Sequence, residues 1–146
     1  MYKLKNLVLL FITFSMSCSN KSNFVQRQNS SCLRYFDQSL KMEVYTAPSE
    51  PAEYPGGMAA AISLVHTNTI YPEQDELQLK ASICFVVDIM GELNSIAIYK
   101  KEIADYSNLD FELIRAFKKM KKWKPAKCNG RKVPSLVIIP LHIDVS

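Results

Sequence analysis

Residues 135–145, SLVIIPLHIDV, restrict this chain more than any other stretch. Val137, Ile139, Leu141, Ile143 and Val145 form one wholly apolar set of alternate positions. Leu136, Ile138, Pro140, His142 and Asp144 form the other, which is the two-residue period of a strand. Pro140 has no N–H to give to a neighbouring strand, so a strand that carries it belongs at a sheet edge or beside a bulge. Such an edge leaves main-chain donors and acceptors to which another chain can add a strand.

The elements before this strand define the sheet it joins. "EVYTAPSEPAEYPGG" holds too many prolines and glycines for a long helix, and only Glu43–Thr46 suits a brief edge strand. A first helix follows Gly57, with Met58, Ala61, Ile62 and Val65 on one face, and stops before Tyr71-Pro72. Ile83, Phe85, Val87 and Ile89 alternate with Ser82, Cys84, Val86 and Asp88 as a half-buried strand. Gly91 sits in a tight connection, and Ile96 and Ile98 complete a hairpin. Ser107 with Asp110 three residues on is a capping-box pattern opening a second helix, in which Leu109, Leu113, Phe117 and Met120 share a face. Lys118, Lys119, Lys121 and Lys122 then fall in its last turns, where positive charge suits the helix dipole. Trp123 is expected as the last core residue of this segment. Asn129-Gly130 marks a two-residue turn before the final strand. The expected fold is α+β: a three-stranded antiparallel sheet packed against two helices in the order α-β-β-α-β.

The N-terminus places the chain. Lys3 and Lys5 precede a ten-residue apolar run, Leu7–Met16, about half the length a membrane-crossing helix needs. Small residues then lead to Cys18. The segment reads as an export signal and resembles a bacterial lipoprotein signal, with Ser15 where an aliphatic residue is usual. The expected divisions are residues 1–17 as signal peptide, 18–42 as a flexible tether beginning at an acylated Cys18, and 43–146 as the folded domain. Removing Lys3 and Lys5 lowers the net charge from +4 to +2, which is no nucleic-acid-binding balance. The charge is uneven: residues 118–132 carry eight Lys/Arg and no acid, among them Lys121, Lys122, Lys124, Lys127, Arg131 and Lys132. Beyond Cys18 lie Cys32, Cys84 and Cys128. Three is odd, so at most one internal pair and one leftover thiol are expected, and Cys32–Cys128, Cys84–Cys128 and no bridge at all stay open.

"YPGG" before a helix, "IYP" after it, "FVVDIMGELNSIAI", "LDFELIRAFKKMKKWKPAKCNGRKV" and "IIPLHI", in this order, resemble the TonB C-terminal domain over residues ~43–145. The resemblance implies a periplasmic module that holds the TonB box of a TonB-dependent outer-membrane receptor against its last strand by β-strand addition. It assigns partner contact to Val137, Ile138, Ile139, Pro140, Leu141, His142 and Ile143, with Tyr71 and Pro72 matching the family's "YP" near that contact. On this reading the basic cluster steers acidic partner segments, and an acyl anchor on Cys18 holds the module in the periplasm at the inner leaflet of the outer membrane. The transmembrane helix and long proline-rich spacer of a full energy transducer have no counterpart in these residues. Leu79 stands near a glycine that is common in the family.

Two other classes compete. A free strand edge also suits self-association, as a structural envelope lipoprotein that forms a homodimer without receptor binding. An enzyme is not expected: His66, His142 with Asp144, and Cys84 lack nucleophile or base partners at a recognisable spacing. No cofactor, metal or nucleic acid is expected either.

Overall fold

A computed structural model describes residues 32–71 and 77–145, with the side chains of 77–79 and 143–145 left aside. The strands are β1 (Leu33–Asp37), β2 (Met42–Ala47), β3 (Leu77–Val87), β4 (Leu93–Ile98), β5 (Ala126–Cys128), β6 (Arg131–Val133) and β7 (Ser135–Val145). The helices are α1 (Gly57–Asn68) and α2 (Asn108–Phe117), with a short 3-10 turn at Ile103–Asp105. Five strands form a mixed sheet in the order β1-β2-β7-β3-β4, and β5-β6 form a separate ribbon. The α+β class stands, but the sheet has five strands where three were expected.

Both extra strands come from residues read as tether or as a brief edge. β1 pairs antiparallel with β2. Asp37 closes the turn between them by accepting the amides of Ser39 and Leu40 through Oδ1. Polar residues 34, 37 and 43 had masked the alternation here, since only Val44 is fully buried. Cys32, just before β1, is bonded to Cys128 on β5, with Cα atoms 6.1 Å apart. Cys84 is disulfide-bonded as well. The leftover thiol expected from the odd count is therefore not found among the described cysteines. Around the Cys32–Cys128 bridge lies a small core of Ala126 and Val133, with Tyr45 and Ala52 packed on it.

The main core lies between the sheet and the two helices. Ile83, Phe85 and Val87 of β3 and Ile139 and Leu141 of β7 meet Ala61 and Val65 of α1 and Leu113 and Phe117 of α2. Phe85 stands 5.6 Å from the Phe117 ring and 5.2 Å from the Trp123 ring. Trp123 is 3% exposed, as its place after the helix predicted. The face of α1 differs from the expected one. Ala61 and Val65 are buried, with Ala60 and Leu64 beside them, while Met58 and Ile62 are 44% and 37% exposed. Small residues let α1 come close to the core, so a face rich in alanine is turned inward and the bulkier one outward. β3 is buried on both faces at its C-terminal end: Cys84 and Val86 are as enclosed as Phe85. Ile89, read as the strand's last inward residue, lies past its end in the turn and is 48% exposed.

Capping and turn chemistry fix the ends. Ser107 and Asp110 form the reciprocal capping box that opens α2. The helix stops at Phe117 with Lys118 as its cap, so Lys119, Lys121 and Lys122 lie beyond it and not in its last turns. Asn129 (φ 51°) and Gly130 (φ 78°) make the two-residue turn of the β5–β6 hairpin. Gly91 is the most constrained glycine. At φ 82° its carbonyl accepts the Trp123 amide at 2.9 Å, and a Cβ there would lie 2.1 Å from the Trp123 carbonyl oxygen.

Candidate partner-binding edge

β7 is not the outermost strand that its proline suggested. It pairs antiparallel with β3 along its whole length, from Val87↔Ser135 to Leu77↔Val145. On its other side β2, which carries Val44, runs parallel to it but meets it only at Tyr45↔Ser135. After Ala47 the chain leaves to run beside β5, where Glu50 and Glu53 bridge Lys127 and Lys124. The outer side of β7 from Ile138 to Asp144 pairs with no described strand. Among the described residues the side of β7 away from β3 is therefore open over that stretch and closed at the strand's start.

Two hydrogen bonds fix which residues face the open side. The Tyr45 amide donates to the Pro134 carbonyl at 2.9 Å, so Pro134 points toward β2. Main-chain groups alternate sides along a strand. Leu136, Ile138, Pro140, His142 and Asp144 therefore direct their N–H and C=O outward, and the odd-numbered residues direct theirs to β3. β3 agrees independently. The Tyr99 amide donates to the Ser82 carbonyl at 2.7 Å, so the even residues of β3 face β4 and the odd ones face β7. Pro140, opposite Ser82, thus lacks its donor on the open side and not in the ladder with β3. This explains a proline at the centre of an unbroken eleven-residue strand without a bulge.

Side chains divide the predicted contact residues. Ile139 and Leu141 are 2% and 7% exposed and Val137 packs against them in the core, so these three act through position and not contact. Ile138 is 40% exposed, and Pro140 and His142 are exposed on the face away from the helices. An added strand would meet these three. Ile143 pairs with Leu79 through its backbone; its side chain is outside the described set. Tyr71 packs on the core, its hydroxyl 2.8 Å from His66 Nδ1, and burial raises its pKa. Pro72, like Cys18, lies outside the described residues.

The basic cluster is less free than its sequence implies. Lys122 pairs with Glu92 at 2.8 Å, Lys124 with Glu53 at 3.5 Å and Lys127 with Glu50 at 3.2 Å. Glu92 raises the Lys122 pKa, first through their hydrogen bond. Lys121, Arg131 and Lys132 are exposed and have no ion pair among the described residues. The glutamates that partner the lysines come from distant segments, which is why counting charge along residues 118–132 overstated the field.

Among the described residues no three His, Cys, Asp or Glu side chains gather in a way that could hold a metal ion. His142 stands exposed on its strand. What sequence reasoning missed is the length of β3 below Ile83. Leu77, Leu79 and Ala81 alternate with Gln78, Lys80 and Ser82, a period-two signal that was available. No family model matches this chain, and neither a curated protein nor a solved structure does.

Proposed function

We propose that this chain is a non-enzymatic, TonB-like binding module of the bacterial periplasm. It takes up an extended segment of an envelope protein, in the first place the TonB box of a TonB-dependent receptor, along the outer side of β7, and so supports or regulates energised transmembrane transport. The observation that carries this reading is the open row of main-chain groups from Ile138 to Asp144, beside a strand otherwise locked to β3 along its length. Strand addition draws its affinity from such groups and its selectivity from the flanking side chains, here Ile138, Pro140 and His142. Lys121, Arg131 and Lys132 add a salt-sensitive attraction for acidic segments.

The test is a single proline. Ile138→Pro removes a donor that only an incoming strand uses, whereas Ile139→Pro removes one from the ladder with β3. Fluorescence anisotropy with a labelled TonB-box peptide should show Ile138→Pro folded and binding at least about tenfold more weakly, the loss of one or two hydrogen bonds. Unchanged affinity in a folded Ile138→Pro protein rejects the site. If sedimentation instead shows the wild-type chain dimerising through this edge, the self-associating role gains.

The anchor belongs to the same proposal. Among the described residues no helix is long and apolar enough to cross a membrane, and attachment is assigned to a diacylglycerol thioether on Cys18. One sulfur cannot carry both a thioether and a disulfide. The mass of the N-terminal peptide of the exported protein, taken without reduction, should therefore include the lipid; an unlipidated or disulfide-linked Cys18 removes the anchor.

A further inference from the structure

Past the end of β4 the sheet narrows to β3 and β7. β3 begins at Leu77, but its pairing with β4 begins only at Ile83↔Ile98. By the alternation fixed above, Gln78 and Lys80 direct their N–H and C=O to the side that β4 has left, where no described strand pairs with them. That side is no flat rim. It opens on a groove of about 680 Å³, lined by Lys80 and Ser82 of β3, the Tyr99–Lys101 turn, Asp110 at the start of α2, and Pro140 and His142 of β7.

Among the described residues the charges in the groove are not balanced. Lys101 is spent on Asp110, its Nζ 2.6 Å from Oδ2. Lys80 and Lys100 have no carboxylate within ion-pair distance among the described residues, and Lys100 Nζ stands 5.2 Å from the centre of the Tyr99 ring. An open strand edge thus lies next to two lysines that have no carboxylate partner among the described residues. We propose that this groove is a second strand-accepting site for an extended peptide segment rich in acidic side chains; its open main chain lies on the opposite edge of the β3–β7 pair from the first, and it shares the Pro140 and His142 side chains with it. The segment's main chain would pair with Gln78 and Lys80, and its carboxylates would meet Lys80 and Lys100. Charge alone would suit any anion. A row of main-chain donors and acceptors is of use only to a polypeptide, which favours a peptide over a lipid headgroup or a free phosphate. The inference does not rest on the reading of β7.

The experiment is an amide chemical-shift titration of the full chain with a short peptide alternating Thr and Glu, and with its Thr/Gln counterpart. The acidic peptide should shift the amides of Gln78 and Lys80 and of the Tyr99–Lys101 turn, with an affinity that falls as salt is raised. Lys80→Glu/Lys100→Glu, two substitutions at exposed positions, should weaken binding about tenfold or more, since each exposed charge pair is reversed and not merely removed. The rest of its amide spectrum should be unchanged. Equal binding of the Gln peptide, shifts confined to Ile138–Asp144, or the same shifts from inorganic phosphate or anionic vesicles would each overturn the proposal.

Discussion

Gly91→Ala should destabilise the fold by about 3 kcal/mol, and the reason can be separated into parts. The residue has φ 82°, where an L side chain costs about 1–2 kcal/mol. The new Cβ would lie 2.1 Å from the Trp123 carbonyl oxygen, a backbone atom that cannot swing aside as a side-chain end could. The two backbone segments must part, which weakens the 2.9 Å bond from the Trp123 amide to the Gly91 carbonyl, worth about 1 kcal/mol. It also disturbs Trp123 where it packs on Phe85 and Tyr54. Gly130→Ala is the control. Gly130 has a similar φ of 78°, but a Cβ there would meet nothing within 4 Å. It should cost only the conformational part, about 1–2 kcal/mol. Urea denaturation of both variants with disulfides intact gives the comparison. If Gly91→Ala loses no more than Gly130→Ala, the close approach of the Gly91 and Trp123 backbones is wrong.

Other outcomes follow from the same geometry. Removing the Cys32–Cys128 bridge by double Ser substitution should cost roughly 2–5 kcal/mol in chemical denaturation, because it releases a loop closed over a sequence separation of 96; loss under 1 kcal/mol would mean the N-terminal hairpin is tied down by other means. On α1, Val65→Ala should cost about 2 kcal/mol and Ile62→Ala under about 1, the reverse order restoring the face that apolar spacing first suggested. Burial pushes the Asp110 carboxyl up, but hydrogen bonds from Lys101 and from the Ser107 amide and hydroxyl outweigh it and hold its pKa below the ordinary value. The folded value being the lower one, this contribution is complete above the unfolded pKa near 3.8 and is lost as pH falls through the folded value. Asp110→Asn should therefore cost about 2 kcal/mol at neutral pH and flatten the acid limb of the stability profile, and an unaltered acid limb would count against the network.

The readable part of the fold was the part in which local chemistry and burial agree. Ser107 and Asp110 mark the start of α2, and Asn129-Gly130 the β5–β6 turn, because each rests on a few adjacent residues. The final strand was legible from its alternation. Pro140 suggested an outermost strand, whereas β7 lies between β2 and β3 and the missing donor falls on the side away from β3. Its neighbour could not be read. The parallel contact of Tyr45 with Ser135 joins residues far apart in the chain, and β1 and β2 carry too many polar residues to show their alternation. The ion pairs of Lys122, Lys124 and Lys127 are likewise long-range facts, invisible to a count of charges along the chain. α1 was placed correctly but turned wrongly, because apolar size was taken for burial where the close packing uses Ala61.

The account stands on the open outer side of β7, and hydrogen exchange of individual amides tests it most directly. In the free protein the amides of Ile138, His142 and Asp144 should exchange fast while those of Val137, Ile139, Leu141 and Ile143, bonded to β3, exchange slowly; a TonB-box peptide should then slow the first set alone. Slow exchange of the first set before any peptide is added, or no change on adding it, would contradict the claim.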